Sequence, residues 1–138
     1  MANYFFYGTL CDPEIAREIL GRPLSGCSPK PCALSGFKRV YVAGATYPGL
    51  IADPAGEVKG LQVYRISPLE ASRLSRYEGK DYTLEEMEVT LADGSREMTN
   101  VFMPLPTLRL SEKEWQLDVW RRQEKRRFLG GLRRNVLV

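Results

Sequence analysis

The chain has 138 residues, 43% hydrophobic and 27% charged, with 20 basic against 17 acidic side chains, three cysteines and no histidine. Lacking an imidazole, it has no access to Ser/His/Asp or Cys/His nucleophilic catalysis, to a histidine proton shuttle or to a His-containing zinc site. Acid/base work therefore falls to a carboxylate, a lysine, a tyrosine or a thiol.

The length suits one α+β (mixed α/β) domain spanning residues 1–138, large enough to hold a core without disulfides. Met-Ala-Asn leads straight into an aromatic segment, without the basic and apolar blocks of a signal peptide. Residues 3–7, Asn-Tyr-Phe-Phe-Tyr, read as a strand that stops at Gly8-Thr9-Leu10. Asp12-Pro13-Glu14 supplies an N-cap, a proline at the first helical position and an early acidic residue, predicting a helix over 13–20. The prolines and glycines of 21–36 predict mainly loop. Cys11, Cys27 and Cys32 match neither a zinc knuckle nor a CxxC pair, a usage expected of a reducing, cytoplasmic setting. No stretch approaches the ~20 apolar residues needed to cross a bilayer, so no membrane association is expected.

From Phe37 the pattern is β-rich, with strands expected at 40–42 and 61–66 and two loop signals between them, Tyr47-Pro48-Gly49 and Asp53-Pro54-Ala55-Gly56. Ser67-Pro68-Leu69-Glu70 is a capping box opening a helix to about Tyr77, which Gly79 ends. Segments 82–91 and 96–103 alternate across Asp93-Gly94, a hairpin signal. Ser111 to Glu114 repeats the capping-box pattern and predicts a helix to about Leu129, ended by Gly130-Gly131, with Trp115 and Trp120 packed on its apolar face. Together these elements predict a largely antiparallel sheet with helices. Residues 121–134 hold seven basic groups against Glu124 alone, a net +6 that leaves −3 for the rest of the +3 chain. A solvated helix face is preferred here to a nucleic-acid surface.

Two segments stand out for chemistry. Tyr7-Gly8-Thr9-Leu10 joins a strand to a helix start, where backbone N–H groups and the helix dipole attract a carboxylate or phosphate; the same junction also serves as a generic connection. Thr9 offers a hydroxyl to a ligand or to the local backbone. Glu78, between Tyr77 and Gly79 at a helix end, suits either a surface glutamate or a general base whose pKa is raised by desolvation. Cys11 reads as a small core residue, with reactivity through the helix N-terminus the alternative.

Taken in order, Tyr4-Phe5-Phe6-Tyr7-Gly8-Thr9-Leu10, Tyr47-Pro48-Gly49-Leu50, Val58-Lys59-Gly60 and Tyr77-Glu78-Gly79 with Tyr82 resemble the gamma-glutamylcyclotransferase-like family, in particular its AIG2-like branch. The segment Glu114-Trp115 through Trp120-Arg121-Arg122 is similar to the final helix of that branch. The resemblance implies a small closed mixed β-barrel with flanking helices and one cavity. It implies that Tyr7 to Leu10 bind the γ-glutamyl group and that Glu78 is the acid/base. The implied reaction cyclises a γ-glutamyl amine or amide to 5-oxoproline with no metal or cofactor, the substrate's own α-amino group attacking. Tyr82 would hydrogen-bond substrate or close the pocket, or be an aromatic at the core edge, and Tyr47-Pro48-Gly49 would line the mouth. Leu84, where a basic residue is common, and Ser75, where an aspartate is, depart from the pattern and bear on substrate preference. The competing expectation is a non-catalytic binding module of the same fold that engages nucleic acid or an acidic partner through Arg121, Arg122, Arg126 and Arg127.

Overall fold

The aromatic first strand, β1 (Ala2–Phe6), sends side chains into both halves of the core, as a strand alternating between two covered faces must. In the computed structural model, which describes residues 1–137, Tyr4 and Phe6 join the layer between sheet and helices, while Phe5 and the following Tyr7 enter the barrel interior with Leu34, Val58, Val89 and Val101. The other strands are β2 (Lys30–Val42), β3 (Pro48–Ile66), β4 (Tyr82–Leu91), β5 (Arg96–Pro104) and β6 (Leu110–Glu114). The order β3-β1-β5-β4-β2 closes through a further β2–β3 pairing, and β6 lies outside the barrel on β2. Only β1–β5 is parallel among the described residues. This is the closed mixed barrel expected.

The helices are α1 (Pro13–Leu20), α2 (Pro68–Glu78), α3 (Leu117–Gln123) and α4 (Lys125–Leu137). The first two follow their sequence signals closely. Asp12 caps α1, accepting from Glu14 N at 3.0 Å and Ile15 N at 3.3 Å, and the Ser67/Glu70 capping box of α2 is complete. Gly79 stops α2 at φ 80°, a backbone region open to glycine at little cost.

Three expectations are corrected. Lys30–Gly36 is strand, with Cys32 and Leu34 facing inward; the prolines around them concealed that alternation. Asp53-Pro54-Ala55-Gly56 is not a loop between two strands but part of β3. Between the pairs Ala52↔Phe37 and Glu57↔Ser35 those four residues oppose only Gly36, a bulge. A side chain at Gly56 would run into the Phe37 carbonyl. Finally, Ser111–Glu114 belongs to β6, because the free edge of β2 takes it up through Val40↔Glu114 and Val42↔Leu110. The C-terminal helix consequently begins at Leu117 and breaks at Glu124, and Gly130-Gly131 lie inside α4 rather than ending it. Trp115 and Trp120 are fully buried, as packing requires, with Trp120 alone on a helix.

The basic segment is also more than a solvated face. Asp12, itself fully buried, receives Arg121 at 2.8 Å and Lys125 at 3.0 Å. Lys125 reaches Glu14 at 2.8 Å, and Arg133 reaches Glu18 at 2.9 Å. The acidic side of α1 thus holds the basic side of α3 and α4. Burial alone would push the Asp12 carboxyl up, but the bonds from Arg121, Lys125 and the Ile15 N–H outweigh it and hold the pKa below its ordinary value. A depressed carboxylate pKa stabilises the fold above about pH 4 and loses that contribution as pH falls through the folded value. Asp12→Ala should therefore cost about 2–4 kcal/mol at pH 7 in urea denaturation, with the difference from wild type shrinking below pH 4.

Candidate active site

Glu78 closes α2 and is half-buried at the wall of a cavity of about 550 Å³, within the range of small-molecule sites. Three parts of the fold meet there. The turn after β1 supplies Tyr7, Gly8 and Thr9. The β2–β3 turn supplies Thr46, Tyr47 and Pro48, and the α2 end with the start of β4 supplies Tyr77, Glu78 and Tyr82. From the far side, α4 and the residue before it contribute Glu124, Arg127, Phe128, Gly131 and Leu132. Tyr7, Gly8, Thr9, Glu78 and Tyr82, singled out in the sequence, share this cavity. Leu10 does not line it, its side chain being core. Leu84 and Ser75 do not line it either.

Three of the four tyrosines that line the cavity commit their hydroxyls to its walls. Tyr7 donates to the Phe102 carbonyl at 2.6 Å, and Tyr82 donates to the Pro48 carbonyl at 2.9 Å. Tyr77 and Thr9 share a 2.6 Å hydroxyl bond that ties the loop after β1 to the residue preceding Glu78. The Thr9 hydroxyl is therefore occupied by the protein, and Tyr82 acts as a wall residue that pins the Pro48 turn. Burial, with the Glu78 charge adding to it, raises the pKa of Tyr7 and Tyr82. Burial likewise raises that of Tyr77, with the Thr9 bond working against it. All three are neutral phenols near pH 7.

Glu78 itself is raised from 4.5 to about 7, and burial is the cause, with no cation or donor among the described residues offsetting it. A carboxyl group so placed exchanges a proton readily in both directions near neutrality. Beside it the chain turns through a 3₁₀ segment, Thr9–Cys11, whose first bonds are Cys11 N to Gly8 O and Asp12 N to Thr9 O, both 3.0 Å. The N–H groups of Gly8, Thr9 and Leu10 precede those bonds and have no carbonyl within the turn. Gly8 sits close under Pro48: a Cβ there would fall 2.9 Å from Pro48 Cγ.

Cys11 is not a nucleophile in waiting. Its thiol donates to the Phe6 carbonyl at 3.1 Å, and burial pushes its pKa up to about 12. All three cysteines are free. Among the described residues no cluster of three His, Cys, Asp or Glu side chains is set to hold a metal, and no helix is long and apolar enough to cross a membrane.

The α4 residues of the cavity had no local signal, since Gly130-Gly131 read as a helix end and Glu124 and Arg127 as members of a charged face. Only the docking of α4 on α1 brings them over Glu78.

Residues 4–122 match the model of a family described as gamma-glutamyl cyclotransferase, AIG2-like, so α4 lies beyond the matched segment. Protein AIG2 C of Arabidopsis thaliana is 28% identical over 135 residues, covering 96% of this chain and 79% of its own. A solution structure from Arabidopsis thaliana superposes with a TM-score of 0.70 at 25% identity, over 94% of this chain and 87% of that one. A gamma-glutamyl cyclotransferase structure superposes with a TM-score of 0.59 at 15% identity, over 80% of this chain and 68% of that one, and shares the fold.

The Glu78 carboxyl, followed by ¹³C NMR, should titrate with a midpoint near 7; a midpoint at its ordinary 4.5 would show that water reaches it. Because a raised carboxyl pKa costs stability as pH climbs from the unfolded value through the folded one, Glu78→Gln should stabilise the fold at pH 8 by up to about 3 kcal/mol and have little effect at pH 4.

Proposed function

The chain belongs to the gamma-glutamyl cyclotransferase, AIG2-like family, and from that membership we propose that it converts a γ-glutamyl amine or amide to 5-oxoproline and a free amine, with Glu78 as the general acid/base. The observation that carries this reading is Glu78, half-buried in the same cavity as the Tyr7-Gly8-Thr9 turn, with its pKa raised to about 7. The substrate is a small zwitterion that brings its own nucleophile, so the protein must supply only a dry cavity, anion-binding donors and one proton carrier.

The steps balance with those parts. Ionised Glu78 takes a proton from the α-ammonium group, and the freed amine attacks the γ-carbonyl carbon. A five-membered ring forms with a tetrahedral centre. Glu78 returns its proton to the leaving nitrogen, the C–N bond to that nitrogen breaks and the carbonyl re-forms, and Glu78, again ionised, takes the second proton from the ring nitrogen and passes it to the released amine. Overall the α-nitrogen gives up two protons in becoming the lactam N–H, and the departing amine gains two in leaving as an ammonium ion. The backbone N–H groups of the loop after β1 hold the anionic oxygens of the γ-glutamyl group, and the three tyrosines keep water from Glu78. Because ring closure is already intramolecular, the cavity has only to hold the folded conformer in which the attacking nitrogen faces the carbonyl. The outer cavity, with Glu124, Arg127 and Phe128, is left for the departing amine.

A panel of γ-glutamyl amines and γ-glutamyl amino acids assayed for 5-oxoproline release tests this reading. Glu78→Gln should retain the fold and lower turnover by about 10²–10⁴-fold, the usual worth of a general acid/base. Near-normal turnover in that variant, or no release from any member of the panel by wild type, would contradict it.

A further inference from the structure

Arg39 lies on β2, outside the cavity, yet its guanidinium is fastened in three directions. Nη1 donates to the Tyr7 carbonyl at 2.5 Å and to the Lys59 carbonyl at 3.3 Å, and Nε donates to the Trp115 carbonyl at 3.1 Å. The guanidinium carbon stands 5.1 Å from the centre of the Trp115 ring. The Trp115 indole N–H in turn donates to the Thr46 carbonyl at 2.9 Å, and Thr46 is a cavity residue. Burial lowers the Arg39 pKa from its ordinary value, but a guanidinium keeps its charge at neutral pH.

The partner of Arg39 in the turn after β1 is one end of a single peptide unit, Tyr7 C=O and Gly8 N–H. No cis peptide bond is present among the described residues, so carbonyl and N–H of that unit point in opposite directions. The carbonyl points at Arg39. The N–H therefore points away from it, on the side where Tyr7 and Gly8 line the cavity with Glu78.

We propose that Arg39 is a positioning residue: its bond to the Tyr7 carbonyl fixes the plane of the Tyr7–Gly8 peptide and polarises it, so that the Gly8 N–H is presented to an anionic oxygen of the ligand. Two effects act in the same sense. A charged donor on the carbonyl strengthens the hydrogen bond made by the N–H of the same peptide. The positive charge behind the peptide also attracts the anion through a poorly screened path. Glycine is needed at the second position because Pro48 leaves no room for a Cβ, and a glycine peptide rotates easily, so an outside anchor has something to fix. The proposal takes from the cyclotransferase reading only the identity of the anion.

The test uses the full chain with Arg39→Met, Arg39→Gln and Arg39→Lys, two probes, sodium 5-oxoproline and sodium acetate, and the ¹⁵N–¹H resonance of Gly8. In wild type both anions should move that resonance. In Arg39→Met the shift should be largely lost and kcat/KM for 5-oxoproline release should fall by about ten-fold or more, a misplaced donor costing less than the 10²–10³ of a deleted one. Arg39→Lys, which keeps charge and reach, should recover part of both, and Arg39→Gln, which keeps a donor alone, should recover less. A purely structural Arg39 would lower Tm while leaving the Gly8 shift and the kcat/KM of the folded molecules within two-fold of wild type, and that result overturns the proposal. Should Arg39→Met fail to fold, the ordering of Lys above Gln carries the same decision, and equal values for the two overturn it. If wild type releases no 5-oxoproline from any substrate, the cyclotransferase reading fails, while the acetate shift and its dependence on Arg39 still decide the positioning role. Absence of a Gly8 shift with either anion in wild type overturns it as well.

Discussion

Asp12 is the joint on which the site depends. It is fully buried, it caps α1 through the Glu14 and Ile15 N–H groups, and it accepts Arg121 and Lys125 from the C-terminal helices. A carboxylate removed from water is tolerable only when its lone pairs are satisfied, and here two cations and two backbone donors do so. The same bonds decide where α4 lies. With Lys125 and Arg133 held on Asp12, Glu14 and Glu18, the helix brings Phe128, Gly131 and Leu132 over the cavity that contains Glu78. One satisfied buried carboxylate thus helps to place the helix that lines the cavity of a second, half-buried one.

That contrast is the chemistry of the molecule. Asp12 is held below its ordinary pKa by its partners, whereas Glu78 is raised to about 7 by burial, with no partner among the described residues to offset it. The neighbouring tyrosines cannot share the negative charge, since burial raises their own pKa values. Their hydroxyls bond to Phe102, Thr9 and Pro48. A chain without histidine has in this way obtained a group that titrates where histidine would, at a cost in stability that the rest of the core must offset.

The parts of the fold legible in the sequence are those whose information is local. Asp12-Pro13, Ser67 with Glu70, Gly79 and Asp93-Gly94 act within a few residues of themselves, and α1, α2 and the β4–β5 hairpin follow from them. What was not legible depends on distant partners. Lys30–Gly36 becomes strand because β3 and β4 flank it, despite Pro31. Ser111–Glu114 reads as a capping box but joins the open edge of β2. The site divides in the same way: the loop after β1, Glu78 and Tyr82 carry motifs, whereas Thr46, Phe128, Gly131 and Leu132 reach the cavity through packing alone. The basic tail read as a solvated face since nothing near it in sequence reveals the acidic side of α1.

The family match ends at residue 122, just before the helix that shields Glu78. The segment matched by the family model supplies the loop and the carboxyl, and α4 lines the same cavity from the far side through Phe128, Gly131 and Leu132. The direct test is the pH dependence of 5-oxoproline release in wild type and in Asp12→Asn, which keeps a helix cap but weakens the hold on Arg121 and Lys125. If α4 sets the environment of Glu78, the acid limb of kcat/KM lies near pH 7 in wild type and moves toward 4.5 in the variant, in step with the carboxyl midpoint seen by NMR. An acid limb that stays in place while the carboxyl midpoint moves would contradict the assignment of Glu78 as the proton carrier.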